Sequence, residues 1–191
     1  MITKEDIEKL FAAQLSQIKD KKLRAGVVDV WVKGCERGGW GSVEELNEIP
    51  FTLLADTKGV NFIEHTIAVT EGAVALARAQ TDTYREVPYE INYDRLVAGG
   101  LLHDVGKLLE IEKDGSGGYR KSHSGKCARH PISGAILAAQ AGLDEEVVKT
   151  IGCHAKEGDG RPQVVETVFI HQADFATFNP LVMLGKSLLI Q

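Results

Sequence analysis

Leu101-Leu102-His103-Asp104-Val105-Gly106-Lys107 sets a histidine and an aspartate side by side inside a segment that is otherwise apolar. Neighbouring positions on a helix point about 100° apart, so both side chains enter one pocket only if it lies between their directions. An unpartnered buried Asp104 would cost several kcal/mol, and a nearby cation is the natural compensation. Gly106 gives up about 1 kcal/mol of helix propensity, which is tolerable if its missing side chain leaves room for a ligand. Lys107 shares a helix face with His103 and Asp104 and is placed to reach a substrate anion. For the dipeptide alone, the plain alternative is a partly exposed His-Asp pair near a helix end.

Around this stretch the hydrophobic pattern is helical. The segment itself sits in a helix predicted from about 93 to 110, dense in Leu96, Val97, Leu101, Leu102, Val105 and Leu108. Upstream, residues 3 to about 18 form one amphipathic helix capped by Thr3, and residues 21 to 36 a second that stops at Gly38-Gly39. Ser42-Val43-Glu44-Glu45 opens a short helix ending before Pro50, and Asn61-Phe62-Ile63-Glu64 opens a long one from 62 to about 80. Trp31 and Trp40 are read as core. Residues 112–129 are rich in Gly, Ser, Lys and Arg and read as a long basic loop, with room for a small hairpin around Ile111 and Tyr119. Pro131 starts a helix that runs to Gly142, and Asp144 caps another reaching about His154. A helix from Pro162 or Gln163 to about Asn179-Pro180 and a short apolar helix complete the chain. The expected class is all-α, with residues 1–191 as a single domain.

Composition sets limits on function. The 191 residues are 43% hydrophobic and 26% charged with a net charge of −5, which excludes a disordered, collagen-like or disulfide-scaffold chain. The longest apolar run, Leu181 to Ile190, is broken by Gly185 and Lys186 and is too short to cross a membrane. The N-terminus has no signal-peptide core, and three irregularly spaced cysteines suit reduced thiols, so a cytoplasmic location is expected. An acidic chain without long basic runs argues against a stable nucleic-acid partner. Nothing in the pattern specifies an oligomeric state.

Four further residues carry metal-binding chemistry in helical contexts: His65, His130, His154 and Asp174. Each alone is more often a solvated or core polar residue than a ligand. Together with His103 and Asp104 they supply four imidazoles and two carboxylates from different helices, as metal sites in helical bundles require. That set suits two divalent first-row ions with a bridging carboxylate. Cys127, His130, Cys153 and His154 form a competing Cys2His2 zinc set, although ligands from adjacent residues 153 and 154 fit one tetrahedral ion poorly. His171, three positions before Asp174, is placed to support the site from behind. In the basic loop, His123 with Lys121, Lys126 and Arg129 reads either as a solvated segment or as a lid whose cations hold a substrate phosphate together with Lys107, and Arg161 is a similar candidate.

The order His65, His103-Asp104, His130, His154, Asp174 resembles the HD-domain superfamily of metal-dependent phosphohydrolases. His103-Asp104-Val105-Gly106-Lys107 and His130-Pro131-Ile132-Ser133-Gly134 look like that family's HDxGK and HPxxG elements, and the likeness covers about residues 60–178. It implies a helical bundle of the HD type, with the N-terminal helices of residues 1–50 packed on it. It also implies all six residues as ligands of two divalent ions (Fe, Mn, Zn, Ni or Mg), with Asp104 as the bridge. The implied chemistry is attack on a small phosphorylated or nucleotide substrate, a phosphomonoester or phosphodiester, by a metal-bridging hydroxide, with Asp104 and Lys107 catalytic. The cyclic-dinucleotide branch of the family carries His-His-Glu and DGxGYP elements. Here Cys153-His154-Ala155 and Asp159-Gly160-Arg161-Pro162 stand in their place, which speaks against cyclic di-GMP. Asn61, where that branch has a carboxylate, favours two ions over three. Two alternatives share the residue set: a mixed-valent di-iron oxygenase of the same superfamily cleaving C–C or C–P bonds, and a non-catalytic metal-binding regulatory module.

Overall fold

At the centre lies a helix with almost no solvent face. A computed structural model describes residues 1–190, and in it α6 (Tyr93–Leu102) is buried continuously from Leu96 to Leu102. Such burial needs close neighbours on every side. A Cβ on Gly99 would sit 2.8 Å from Ile170 Cδ1 and 2.9 Å from Thr150 Cγ2, and one on Gly100 would sit 2.9 Å from Thr70 Cα. Those neighbours belong to α5 (Phe62–Thr83), α10 (Glu145–Cys153) and α11 (Val165–Gly185), while α3 (Lys21–Gly38) packs on the remaining side. The class is all-α apart from one small hairpin.

The start signals act where the sequence placed them. Asn61 accepts from the Glu64 amide while the Glu64 carboxylate accepts from the Asn61 amide, at 2.9 Å each, so two free donors of α5 are satisfied reciprocally. Ser42 caps α4 (Val43–Glu48), and Gly39 ends α3 in the left-handed region at φ 78°. Both indoles are buried. Trp31 packs between Phe11 and Phe62 and donates to Leu101 O at 3.0 Å, and Trp40 donates to Leu108 O at 2.8 Å. The two side chains thus satisfy carbonyls at the ends of interrupted helices.

Four expected elements differ. The N-terminal helix is two, α1 (Lys4–Leu10) and α2 (Ala12–Leu15), broken at Phe11 as that ring turns in against Trp31. The helix predicted over 93–110 ends at Leu102. Tight turns with three-residue bonds follow (Val105 N to Leu102 O, Lys107 N to Asp104 O), and α7 (Lys107–Glu110) resumes beyond them. The small hairpin expected around Ile111 and Tyr119 forms, β1 (Ile111–Lys113) with β2 (Tyr119–Lys121) and Ile111 opposite Lys121, but the rest of the basic loop holds a helix, α8 (His123–Cys127), under a Ser122 cap. The last two expected helices are one: α11 runs through Pro180, where the chain is exposed and water can take the lost hydrogen bond. Among the described residues no helix is long and apolar enough to cross a membrane.

Gly106 also has a different role from the one read in the sequence. A Cβ there would lie 2.1 Å from His130 O and 2.7 Å from Gly134 N, so the missing side chain admits the first turn of α9 (His130–Gln140), not a ligand. Gly106→Ala must push that turn outward, and urea denaturation should show a loss of about 1–3 kcal/mol, the usual cost of overpacking. Gly72→Ala is the contrast. Its Cβ meets only Ala173 Cβ at an ordinary 3.4 Å, and stability should hold or rise by up to about 1 kcal/mol.

Candidate metal centre

The break after α6 and the close approach of α9 bring the polar residues together. Asp104 is buried, and its two oxygens face different histidines. Oδ2 lies 3.4 Å from His65 Nε2 and 3.3 Å from His103 Nε2, whereas Oδ1 lies 3.1 Å from His130 Nε2 and 3.6 Å from His154 Nε2. Asp174, on α11, places Oδ1 3.2 Å from His65 Nε2. Two donor groups result, His65-His103-Asp104 and Asp104-His130-His154, each with its ligand atoms within 4.8 Å of one another and with Asp104 common to both.

Every one of the four imidazoles turns Nε2 inward and anchors Nδ1 outside. His103 Nδ1 donates to Gly100 O at 2.7 Å and His154 Nδ1 to Ile151 O at 2.8 Å, each reaching the carbonyl three residues back at the end of its own helix. His130 Nδ1 donates to Glu110 Oε2 at 2.7 Å, and His65 Nδ1 lies 3.4 Å from Thr177 Oγ1. A proton on Nδ1 leaves the Nε2 lone pair free. Nε2 of His65, His103 and His154 and Oδ1 of Asp104 are buried polar atoms with no hydrogen-bond partner, an expensive arrangement in a protein interior. Divalent cations fit it: imidazole nitrogens and carboxylate oxygens are the donors that first-row ions take. His65, His103, Asp104, His130, His154 and Asp174 are the residues that would hold them.

Titration follows the same charge logic. Burial alone would raise Asp104, but Lys107, His103 and His130 hold its carboxyl well below the ordinary carboxylate range. Burial raises Asp174 most, and the His65, His103 and His154 imidazoles together bring it down to about 2. Burial pushes His154 down, which favours the neutral ring. For His103 burial lowers and Asp104 raises, and the carboxylate prevails. The pocket therefore keeps its carboxylates ionised and gathers positive charge around Asp104.

Beyond the ligands, Glu110 accepts from both the amide and Nδ1 of His130 and pairs with Lys121 at 3.1 Å. His171 Nδ1 lies 2.6 Å from His154 O, holding the turn that carries this ligand. Lys107 Nζ contacts Asp104 and donates to Phe51 O. A cavity of about 500 Å³ opens on the centre, lined by Lys121, Arg129 and Lys156 near His130 and by Lys107 over the Phe51 ring. His123, Lys126 and Arg161 do not line it. The Ser122 cap starts α8 so that His123 and Lys126 face solvent, and Arg161 lies exposed beyond a 3-10 turn (Lys156–Gly158). Of the basic-loop cations Lys121 and Arg129 line the cavity, and Lys156, brought there by that turn, joins them. The Cys2His2 grouping does not form among the described residues, because Cys127 points at His123, 3.7 Å away on exposed α8. Sequence reasoning missed Glu110 because its partner His130 lies 20 residues further along.

The HD-domain family model matches residues 62–175. The chain is 28% identical over 165 residues to a dihydroneopterin 2',3'-cyclic phosphate phosphodiesterase of Methanocaldococcus jannaschii, covering 84% of this chain and 64% of that protein. It is 32% identical over 118 residues to ribonuclease Y of Thermoanaerobacter pseudethanolicus and 30% identical over 116 residues to that of Thermotoga maritima. Each alignment covers 61% of this chain and 18% of the relative. The chain thus spans less than two thirds of the length of these curated relatives. No solved structure matches it significantly.

Glu110→Gln should weaken metal binding about 10- to 100-fold, measured by competition with a chelating dye, because His130 loses its charged anchor. In the metal-free protein the same substitution should flatten the acid limb of the stability curve. Burial raises the Glu110 carboxyl, but the His130 ring and amide and Lys121 together outweigh it and take the group from an ordinary 4.5 to about 2 when folded. Its contribution is therefore complete above about pH 4.5 and disappears as pH falls to about 2.

Proposed function

The chain belongs to the HD-domain family, and from that premise we propose that it is a metal-dependent phosphohydrolase with a dinuclear centre, acting on a small phosphoester. The observation that carries this reading is the sharing of buried Asp104 between two sets of inward-facing imidazole nitrogens. Two divalent ions held there would supply an acidic water and neutralise phosphoryl oxygens.

The side chains perform the remaining tasks. Asp104 keeps both halves of the ligand set in register, and Asp174 closes the set on the His65 side. Lys107, tethered at Phe51 O, presents its ammonium at the edge of the centre, where charge builds on the phosphoryl group as it is displaced. Arg129 and Lys156, with Lys121, give the anionic part of a substrate a cationic wall. His65, His103, His130 and His154 are fixed by their Nδ1 contacts, so little reorganisation is needed on binding.

A cavity of about 500 Å³ suits a ligand of single-nucleoside size. Together with the likeness to a cyclic-phosphate phosphodiesterase over 84% of the chain, this supports a small cyclic or open phosphodiester over a polymer. Residues 1–50 are taken as part of the same unit, since Trp31 and Trp40 hold the backbone on either side of the His-Asp turn.

The test is reconstitution with Mn, Fe, Zn, Ni or Mg, followed by a panel of nucleoside 2',3'-cyclic phosphates, linear phosphodiesters and phosphomonoesters under nitrogen. Turnover without oxygen is expected, and Lys107→Met should lower kcat by about 10²- to 10³-fold with metal content unchanged. Activity that requires oxygen, or full metal binding by Asp104→Ala, would sink the proposal.

A further inference from the structure

The cavity is polarised along the same axis as the ligand set. On the His65 side, His65 stacks on Phe51 with ring centroids 4.3 Å apart, and Phe51 meets Phe178 edge-on at 6.2 Å. Phe175 follows Asp174 on the same helix, and Leu53 and Leu54 complete an apolar wall. On the His130 side, Glu110 leads to Lys121, and Arg129 pairs with Glu157 beside Lys156. Lys107 stands between them, its ammonium 5.7 Å above the Phe51 ring and donating to Phe51 O, so Lys121, Arg129 and Lys156 gather at one end of the cavity while the far end beyond Phe51 carries rings and aliphatic side chains.

The apolar end offers little to read a polar edge. Among the described residues that line it, the one hydroxyl is that of Thr52, which accepts from the Leu54 amide at 3.1 Å within its own loop. Leu54 is 83% exposed at the mouth beside Leu53, so an apolar group seated there would take leucine surface out of water. The loop that presents it is fixed at its base by a bridge between Pro50 and Asn61 and by Phe62 N donating to Ile49 O at 2.8 Å. The wall is therefore held in place at the edge of the centre.

We propose that the organic part of the substrate is a flat apolar ring system seated on Phe175, Phe178, Leu53 and Leu54, and that the cavity selects phosphoesters by contact with this wall, without hydrogen bonds to the ring edge. This rests on the phosphohydrolase reading and deepens it. The phosphoryl group lies at the metal centre, any further anionic group turns toward Lys121, Arg129 and Lys156, and the ring lies opposite. Phe178 is a specificity-determining residue, because it joins the ring wall to Phe51 and through it to His65.

The experiment measures binding of non-hydrolysable phosphonates to the metal-loaded full chain by calorimetry. 1-Naphthylphosphonate, whose ring edge carries no hydrogen-bonding atom, should bind about ten- to a hundredfold tighter than methylphosphonate. Phe178→Ala and the exposed Leu54→Ser should each shrink that ratio, read as loss of 1-naphthylphosphonate affinity relative to methylphosphonate in the same metal-loaded variant. Equal affinities in the unaltered protein, or a ratio that survives both substitutions, overturns the proposal. If the phosphoester panel is still turned over in that case, the hydrolase reading stands without it. If neither phosphonate binds and nothing is turned over, both fall.

Discussion

Burying the carboxylate of Asp104 is the constraint to which the rest of the centre answers. An ionised group in an interior must be surrounded by positive or polarisable partners, or it would take up a proton. Here four imidazoles and the Lys107 ammonium converge on its two oxygens. Meeting that demand dictates local backbone. The helix that would have carried His103 and Asp104 straight through instead stops at Leu102, and tight turns aim both side chains inward. Gly106 lets α9 touch those turns, which delivers His130.

Helix ends serve as anchors as well as boundaries. His103 and His154 each stand just past the last turn of a helix, and each ring donates to the carbonyl three residues earlier. A helix terminus has unpaired carbonyls, so the same feature that ends the helix also sets the tautomer of the ligand. Where no such carbonyl is available, a side chain takes its place: Glu110 for His130 and Thr177 for His65. The result is one orientation, Nε2 inward, reached twice by a helix-end carbonyl, once by a carboxylate and once by a hydroxyl, the last two from distant parts of the chain.

The surroundings divide the cavity into two characters. Arg129 caps the start of α9 and Lys121 ends β2, so the approach of α9 and the hairpin gathers cations around His130. Phe175 and Phe178 lie on α11 beside Asp174, so the helix that closes the ligand set on the His65 side also brings the rings. Charge on one side and apolar surface on the other follow from which helix delivers which ligand.

The sequence by itself determined the helical class, most helix starts, and the six residues that meet at the centre. Periodicity, caps and the chemical types of His65, His103, Asp104, His130, His154 and Asp174 are local properties, written in a few consecutive positions each. Only the tertiary structure decided where the central helix breaks, that Gly106 admits a backbone, that Glu110 holds His130, that Lys156 lines the cavity, and that Lys121 and Arg129 do so while His123, Lys126 and Arg161 do not. Those features depend on contacts between segments far apart in the chain. Helix propensity favours one continuous helix over 93–110, and burial of Asp104 among partners from α5, α9 and the end of α10 outweighs it. A stretch read alone cannot show a partner that arrives from elsewhere.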